Sequence, residues 1–98
     1  LNTVPRLPVV FTEQILKQKI MNNWKTENKY LEKEFELKNF EEAVGFVNKI
    51  LPLAEEADHH PDILLHSYKK VKVMLFTHSE GKITDKDYSL AKKIDEIA

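Results

Sequence analysis

The chain has no cysteine, which excludes disulfide bridges and thiolate metal sites and agrees with a reducing compartment. Its two glycines, Gly45 and Gly81, stand far apart, so no glycine-rich loop can cradle a phosphate. Neither sign of charge dominates: 15 Lys and Arg meet 16 Asp and Glu, for a net charge of −1. No basic field is there to recruit nucleic acid. The lysines Lys69, Lys70, Lys72, Lys82 and Lys86 read as a solvated edge. No apolar run approaches the roughly 20 residues a membrane span needs. Residues 1–10 lack the charged start and apolar centre of a secretion signal. These absences lead us to expect a cytoplasmic protein with no membrane partner and no direct nucleic-acid binding. At 98 residues, a single domain over residues 1–98 with one modest core is expected.

What the chain does have is a change of period along its length. Pro5 and Pro8 keep residues 1–10 extended, and Thr12 caps an expected helix over residues 12–21. Residues 24–27 and 30–37 then read as two strands around Asn28-Lys29, with Leu31, Phe35 and Leu37 apolar at alternate positions and Lys33 the exception. Asn39 and Glu42 resemble a capping box for a helix to about residue 57. Its apolar stripe is assigned to Phe40, Val44, Val47, Leu51 and Ala54, with Ala43, Phe46 and Ile50 beside it. Pro52 is expected to distort or shorten it. Residues 63–77 form the strongest strand region, with a bend or bulge allowed at residues 66–70. Val71, Val73, Leu75 and Thr77 point one way, and Lys70, Lys72, Met74, Phe76 and His78 the other. The apolar Met74 and Phe76 predict a cover, either substrate or a second copy of the chain. Glu80-Gly81 makes a turn, and Thr84 caps a last helix with Tyr88, Ala91, Ile94 and Ile97 inside. The expected architecture is α+β: an antiparallel sheet of about four strands in the order α-β-β-α-β-β-α, with the helices on one face.

The chemistry gathers at Glu55-Glu56-Ala57-Asp58-His59-His60-Pro61 and at Tyr68, Thr77, His78 and Asp87. A neutral imidazole can take or give a proton near pH 7, since its unperturbed pKa is about 6.5. Pro61 pushes His60 toward an extended conformation, steering the chain from helix to strand where the histidines project. Each residue also has a plainer explanation. His59 and His60 suit a helix C-terminus; Asp87, three residues after Thr84, suits a capping box. Asp58 suits a solvated helix end, and Tyr68 a strand aromatic. His66 reads as a surface strand residue. Histidines with carboxylates can hold zinc, but adjacent His59 and His60 share one ion poorly and no His-Glu-x-x-His spacing occurs. No metal is expected.

In order, Glu55, His59-His60-Pro61, Tyr68, Thr77-His78 and Asp87 resemble the pterin-4a-carbinolamine dehydratases. Upstream, Trp24, Phe35, Phe40, Ala43 and Phe46 resemble that family's aromatic spacing, so the likeness spans residues 24–97. Ile63 stands where members often carry Trp. The resemblance implies a cofactor-free dehydratase that expels the 4a-hydroxyl of a tetrahydropterin as water, leaving a quinonoid dihydropterin. It implies His59 and His78 as the acid–base pair and His60 as a catalytic-site positioning and binding group. Asp58 and Asp87 would orient imidazoles or bind the ring, with Tyr68 and Thr77 contributing to substrate binding. A homodimer or homotetramer is expected. The alternatives are a dimerisation cofactor of transcription factors, which relatives in animals also are, and action on another pterin, as in molybdopterin metabolism.

Overall fold

The computed structural model describes residues 23–98; the helix expected over residues 12–21 and the arm at 1–10 lie outside the described residues. Two hairpins and two helices alternate: β1 (Lys25–Glu27), β2 (Tyr30–Glu36), α1 (Phe40–Ala57), β3 (Asp62–His66), β4 (Lys70–Leu75) and α2 (Asp85–Ile97). All neighbours in the sheet are antiparallel, in the order β1-β2-β4-β3. The central β2–β4 pair is therefore made by residues far apart in sequence, joined through α1.

Alternation along β4 decides the inner face. Val71, Val73 and Leu75 are fully buried and stand opposite Phe35, Lys33 and Leu31 of β2. Both helices add to the same core, α1 through Ala43, Phe46 and Ile50 and α2 through Leu90, Ala91 and Ile94. The α+β architecture with helices on one face is thus as expected. Burying a side chain such as Leu75 contributes about 1.5–3 kcal/mol. Lys33, the exception to the alternation, does face inward. Its ammonium pairs with Asp95 of α2 at 2.8 Å and lies over the Phe35 ring, 4.7 Å from its centroid. Trp24 Nε1 donates to the other oxygen of Asp95 at 3.0 Å, so one carboxylate ties the C-terminal part of α2 to the first hairpin.

After α1 the chain forms two strands, as the expected order has it, and in place of the bend or bulge allowed at residues 66–70 Ser67 and Tyr68 both adopt left-handed φ, 50° and 54°, and turn the chain back on itself. The assignment of the α1 stripe is corrected in part: Val47 and Ala54 pack on the core as expected, but the centre of the stripe lies one position round the helix. Ala43, Phe46, Ile50 and Ala54 are buried, whereas Phe40, Val44 and Leu51 are exposed. With Pro52 inside it, α1 runs to Ala57, the end expected from the sequence. At the start of α1, Asn39 accepts from the Glu42 N–H at 2.9 Å, one half of the expected box. Phe76 is buried by this chain's own rings, edge-on to Tyr30 at 5.6 Å and to His78 at 5.1 Å.

Candidate functional site

The end of α1 sets the position of the first histidine. Asp58 takes a left-handed conformation, φ 51°, which aspartate tolerates better than most residues. The N–H of Asp58 then reaches Glu55 O at 3.2 Å and that of His59 reaches Ala54 O at 3.1 Å, the two bonds of a Schellman ending. The backbone of His59 is thereby locked to the helix it has just left. Asp58 is exposed, and its place in the structure is that of the turning residue.

A second lock holds Thr77. Its backbone N–H bonds Lys82 O at 3.1 Å, and the Gly81 N–H returns to Thr77 O at 2.9 Å. Gly81 has φ 69°, a conformation that most residues avoid, so glycine is what allows the loop to close. Thr84 then caps α2 in a full capping box with Asp87.

Between these locks lies Asp87, with none of its surface exposed. His59 Nε2 is 2.5 Å from its Oδ1. Thr77 Oγ1 donates to its Oδ2 at 2.7 Å, and the Thr84 N–H donates to the same oxygen at 2.9 Å. Three donors surround one buried carboxylate, as burial of a charge requires. Asp87 is a helix cap and a histidine partner at once, so the two explanations that compete in the sequence coexist. Because a carboxylate only accepts, the proton on this His59 edge sits on Nε2.

The other expected residues sit around this unit unequally. His60, next in the chain, is exposed and bonds Glu55 Oε2 at 2.8 Å. His78 follows Thr77, is exposed, and lies against Phe76. Both rings therefore leave the chain one residue away from a member of the bonded unit. Tyr68 does not join them. It is 61% exposed at the tip of the β3–β4 hairpin, nine residues before Thr77 along an extended strand, or roughly 30 Å at about 3.3 Å per residue. His66 lies on the outer sheet face, bonded to Glu34 at 2.6 Å.

An open groove of about 350 Å³ runs beside His59, lined also by Ala57, Asp85, Lys86, Ser89 and Lys93. Neither His60 nor His78 lines it. Among the described residues, no three His, Asp or Glu side chains come together as a metal centre, and no helix is long and apolar enough to cross a membrane. The link from Thr84 to Thr77 is absent from the sequence-based set. Its trace in the sequence is the Thr-x-x-Asp spacing at 84–87 just after a glycine turn.

The model of the family described as Pterin 4 alpha carbinolamine dehydratase matches residues 9–97 of the chain. The chain belongs to that family. A relative from Sulfolobus acidocaldarius, provisionally named a pterin-4-alpha-carbinolamine dehydratase, is 52% identical over 77 residues, 79% of this chain and 84% of that protein. One from Metallosphaera sedula with the same provisional name is 44% identical over 96% of this chain and 95% of its own length. Among solved structures, a transcriptional coactivator/pterin dehydratase from Brucella melitensis superposes with a TM-score of 0.77 at 31% identity, covering 96% of this chain and 99% of that one. A pterin dehydratase-like protein described as a RuBisCO assembly factor in the alpha-carboxysome shares the fold, with a TM-score of 0.66 at 21% identity over 81% of this chain and 93% of its own. Names given to proteins of this fold thus range from dehydratase to coactivator and assembly factor.

Proposed function

We propose that the chain is a dehydratase acting on 4a-hydroxytetrahydropterins. His59, through Nδ1, removes the proton from ring N5. The N5 electrons form the bond to C4a, the C4a–O bond breaks, and the departing hydroxyl takes a proton from His78 to leave as water. The product is a quinonoid dihydropterin, and neither electrons nor a metal are needed to balance the step. Each proton transfer contributes about 10²–10⁴-fold. His60 holds the ring. Asp87 stabilises the imidazolium that forms on His59 and Thr77 steadies Asp87. The observation that carries this proposal is the wholly buried Asp87 clasping His59. Besides satisfying the buried Oδ1, the contact fixes the ring's orientation and tautomer, as a general base needs. The test is turnover of freshly generated 4a-hydroxytetrahydropterin, expected to proceed in the presence of a strong chelator. Near-native turnover in both His59→Ala and His78→Ala would refute the acid–base assignment.

One observation favours a second function, as a protein-binding module. Phe40, Val44 and Leu51 are exposed along α1 at 4- and 7-residue spacing, a seam suited to another helix. A homodimer or homotetramer would bury it, in keeping with the expected oligomer. Light scattering of Leu51→Glu against the unaltered chain separates the cases: a smaller assembly with undiminished turnover makes the seam a contact surface independent of the chemistry.

A further inference from the structure

We infer that Thr84 is a positioning residue for His59, acting through Thr77 and Asp87 to keep the proton on Nε2 and leave Nδ1 as the working nitrogen. The inference rests on the proposed use of His59 as a base, and it concerns where that base carries its proton. Thr77 has one hydroxyl proton, and it is committed to Asp87 Oδ2 at 2.7 Å. The 2.7 Å contact between the two threonine hydroxyls must then be donated by Thr84. Thr84 Oγ1 in turn accepts from the Lys86 N–H at 3.3 Å, and its own N–H donates to Asp87. Every proton in this relay is thus directed toward the carboxylate, which can only accept. With Oδ2 holding two donors, Oδ1 is left to His59 Nε2. Among the described residues Nδ1 has no partner, so it faces whatever occupies the space beside the ring.

The hydroxyl of Thr84 matters because of direction, not merely because it caps α2. Without it Thr77 loses the donor that orients its hydroxyl, which weakens the bond to Asp87 Oδ2 even though the backbone N–H of residue 84 still reaches that oxygen. Asp87 is then held less firmly against His59, the ring whose tautomer it selects. Helix capping alone would not have this consequence. Asn39 caps α1 by a comparable bond and touches no histidine.

Imidazole nitrogen signals in ¹⁵N-labelled protein, assigned with His59→Gln, test this without substrate. His59 is expected to carry its proton on Nε2 in the unaltered protein. In Thr84→Val that signature should give way to a mixture of both tautomers. Thr84→Ser should restore it, and Asn39→Ala, a cap removed elsewhere, should leave it untouched. In the turnover assay Thr84→Val should lower kcat on the order of 10-fold, the low end of what second partners of histidine contribute. KM should stay within about twofold, because substrate contacts are unchanged. If Thr84→Val fails to fold, Thr77→Val breaks the same link and is read in the same way. A proton on Nδ1 in the unaltered protein, or an unchanged Nε2 signature in the folded valine variant, overturns the inference. Should the protein turn over no hydroxypterin, the proposed reaction fails while the nitrogen signals still decide this point.

Discussion

Two histidine–carboxylate pairs in this small fold have nearly the same length and opposite surroundings. His59 and Asp87 are 2.5 Å apart with side chains 11% and 0% exposed; His66 and Glu34 are 2.6 Å apart with side chains 35% and 42% exposed. The outer pair lies on the sheet face away from the helices, near the more exposed Lys69–Glu36 pair and the more sheltered Lys72–Glu32, whose carboxylate is buried. Water and salt can replace any of its bonds, so such pairs contribute little. The inner pair has no such substitute, because each donor around Asp87 would be left unsatisfied in the core. Distance says that a pair exists; burial and the remaining partners say what it can do.

The largest difference should come from removing the two carboxylates. Asp87→Ala strips three donors of their acceptor, and breaking a buried pair costs about 3–5 kcal/mol, a large share of the roughly 5–15 kcal/mol that holds a domain folded. Denaturant unfolding should register that loss, and turnover should fall with it in whatever fraction stays folded. Glu34→Ala should remain within about 0.5 kcal/mol of the unaltered protein. A stability change of similar size in both would erase the contrast.

Next comes the histidine itself. His59→Ala should reduce kcat on the order of 10²–10⁴-fold, more than it weakens binding, whereas His66→Ala should leave turnover unchanged. Steady-state kinetics on both variants, after circular dichroism confirms folding, check this.

Acid titration sharpens the comparison at its weaker side. The bond from His66 holds the Glu34 carboxyl below its ordinary value of 4.5, with Lys70 and Lys72 adding smaller attractions. A carboxyl lowered on folding contributes stability that is fully present above about 4.5, its ordinary value, and is lost as pH falls through the depressed folded value. In His66→Ala the Glu34 titration followed by NMR should therefore move upward, and high salt should move it the same way by screening. An unmoved Glu34 titration in that variant would mean the pair is not formed in solution.

The smallest effect expected is on stability in His66→Ala, within about 0.5 kcal/mol near neutral pH. Unfolding curves that overlay the unaltered protein within error meet that expectation.

By itself, the sequence determined the order of the described elements, the capping roles of Asn39 and Thr84, the buried face of β4 and the likeness that singles out His59 and Asp87. Each of these is set by neighbours a few residues apart: alternation of Val71, Val73 and Leu75, an extended N-cap, a left-handed glycine at Gly81. Tertiary structure alone decided which of two adjacent stripes of α1 is covered. Helical spacing makes Phe40, Val44 and Leu51 as plausible inside as Ala43, Phe46 and Ile50, and only the place where the sheet lies breaks the tie. It also decided that Tyr68 ends far from Thr77, since the left-handed Ser67 and Tyr68 put that ring at the tip of the hairpin and not along its strand. And it joined Asp87 to His59, 28 residues away, a contact no local pattern encodes because the geometry that makes it belongs to the ends of two helices brought together by one core.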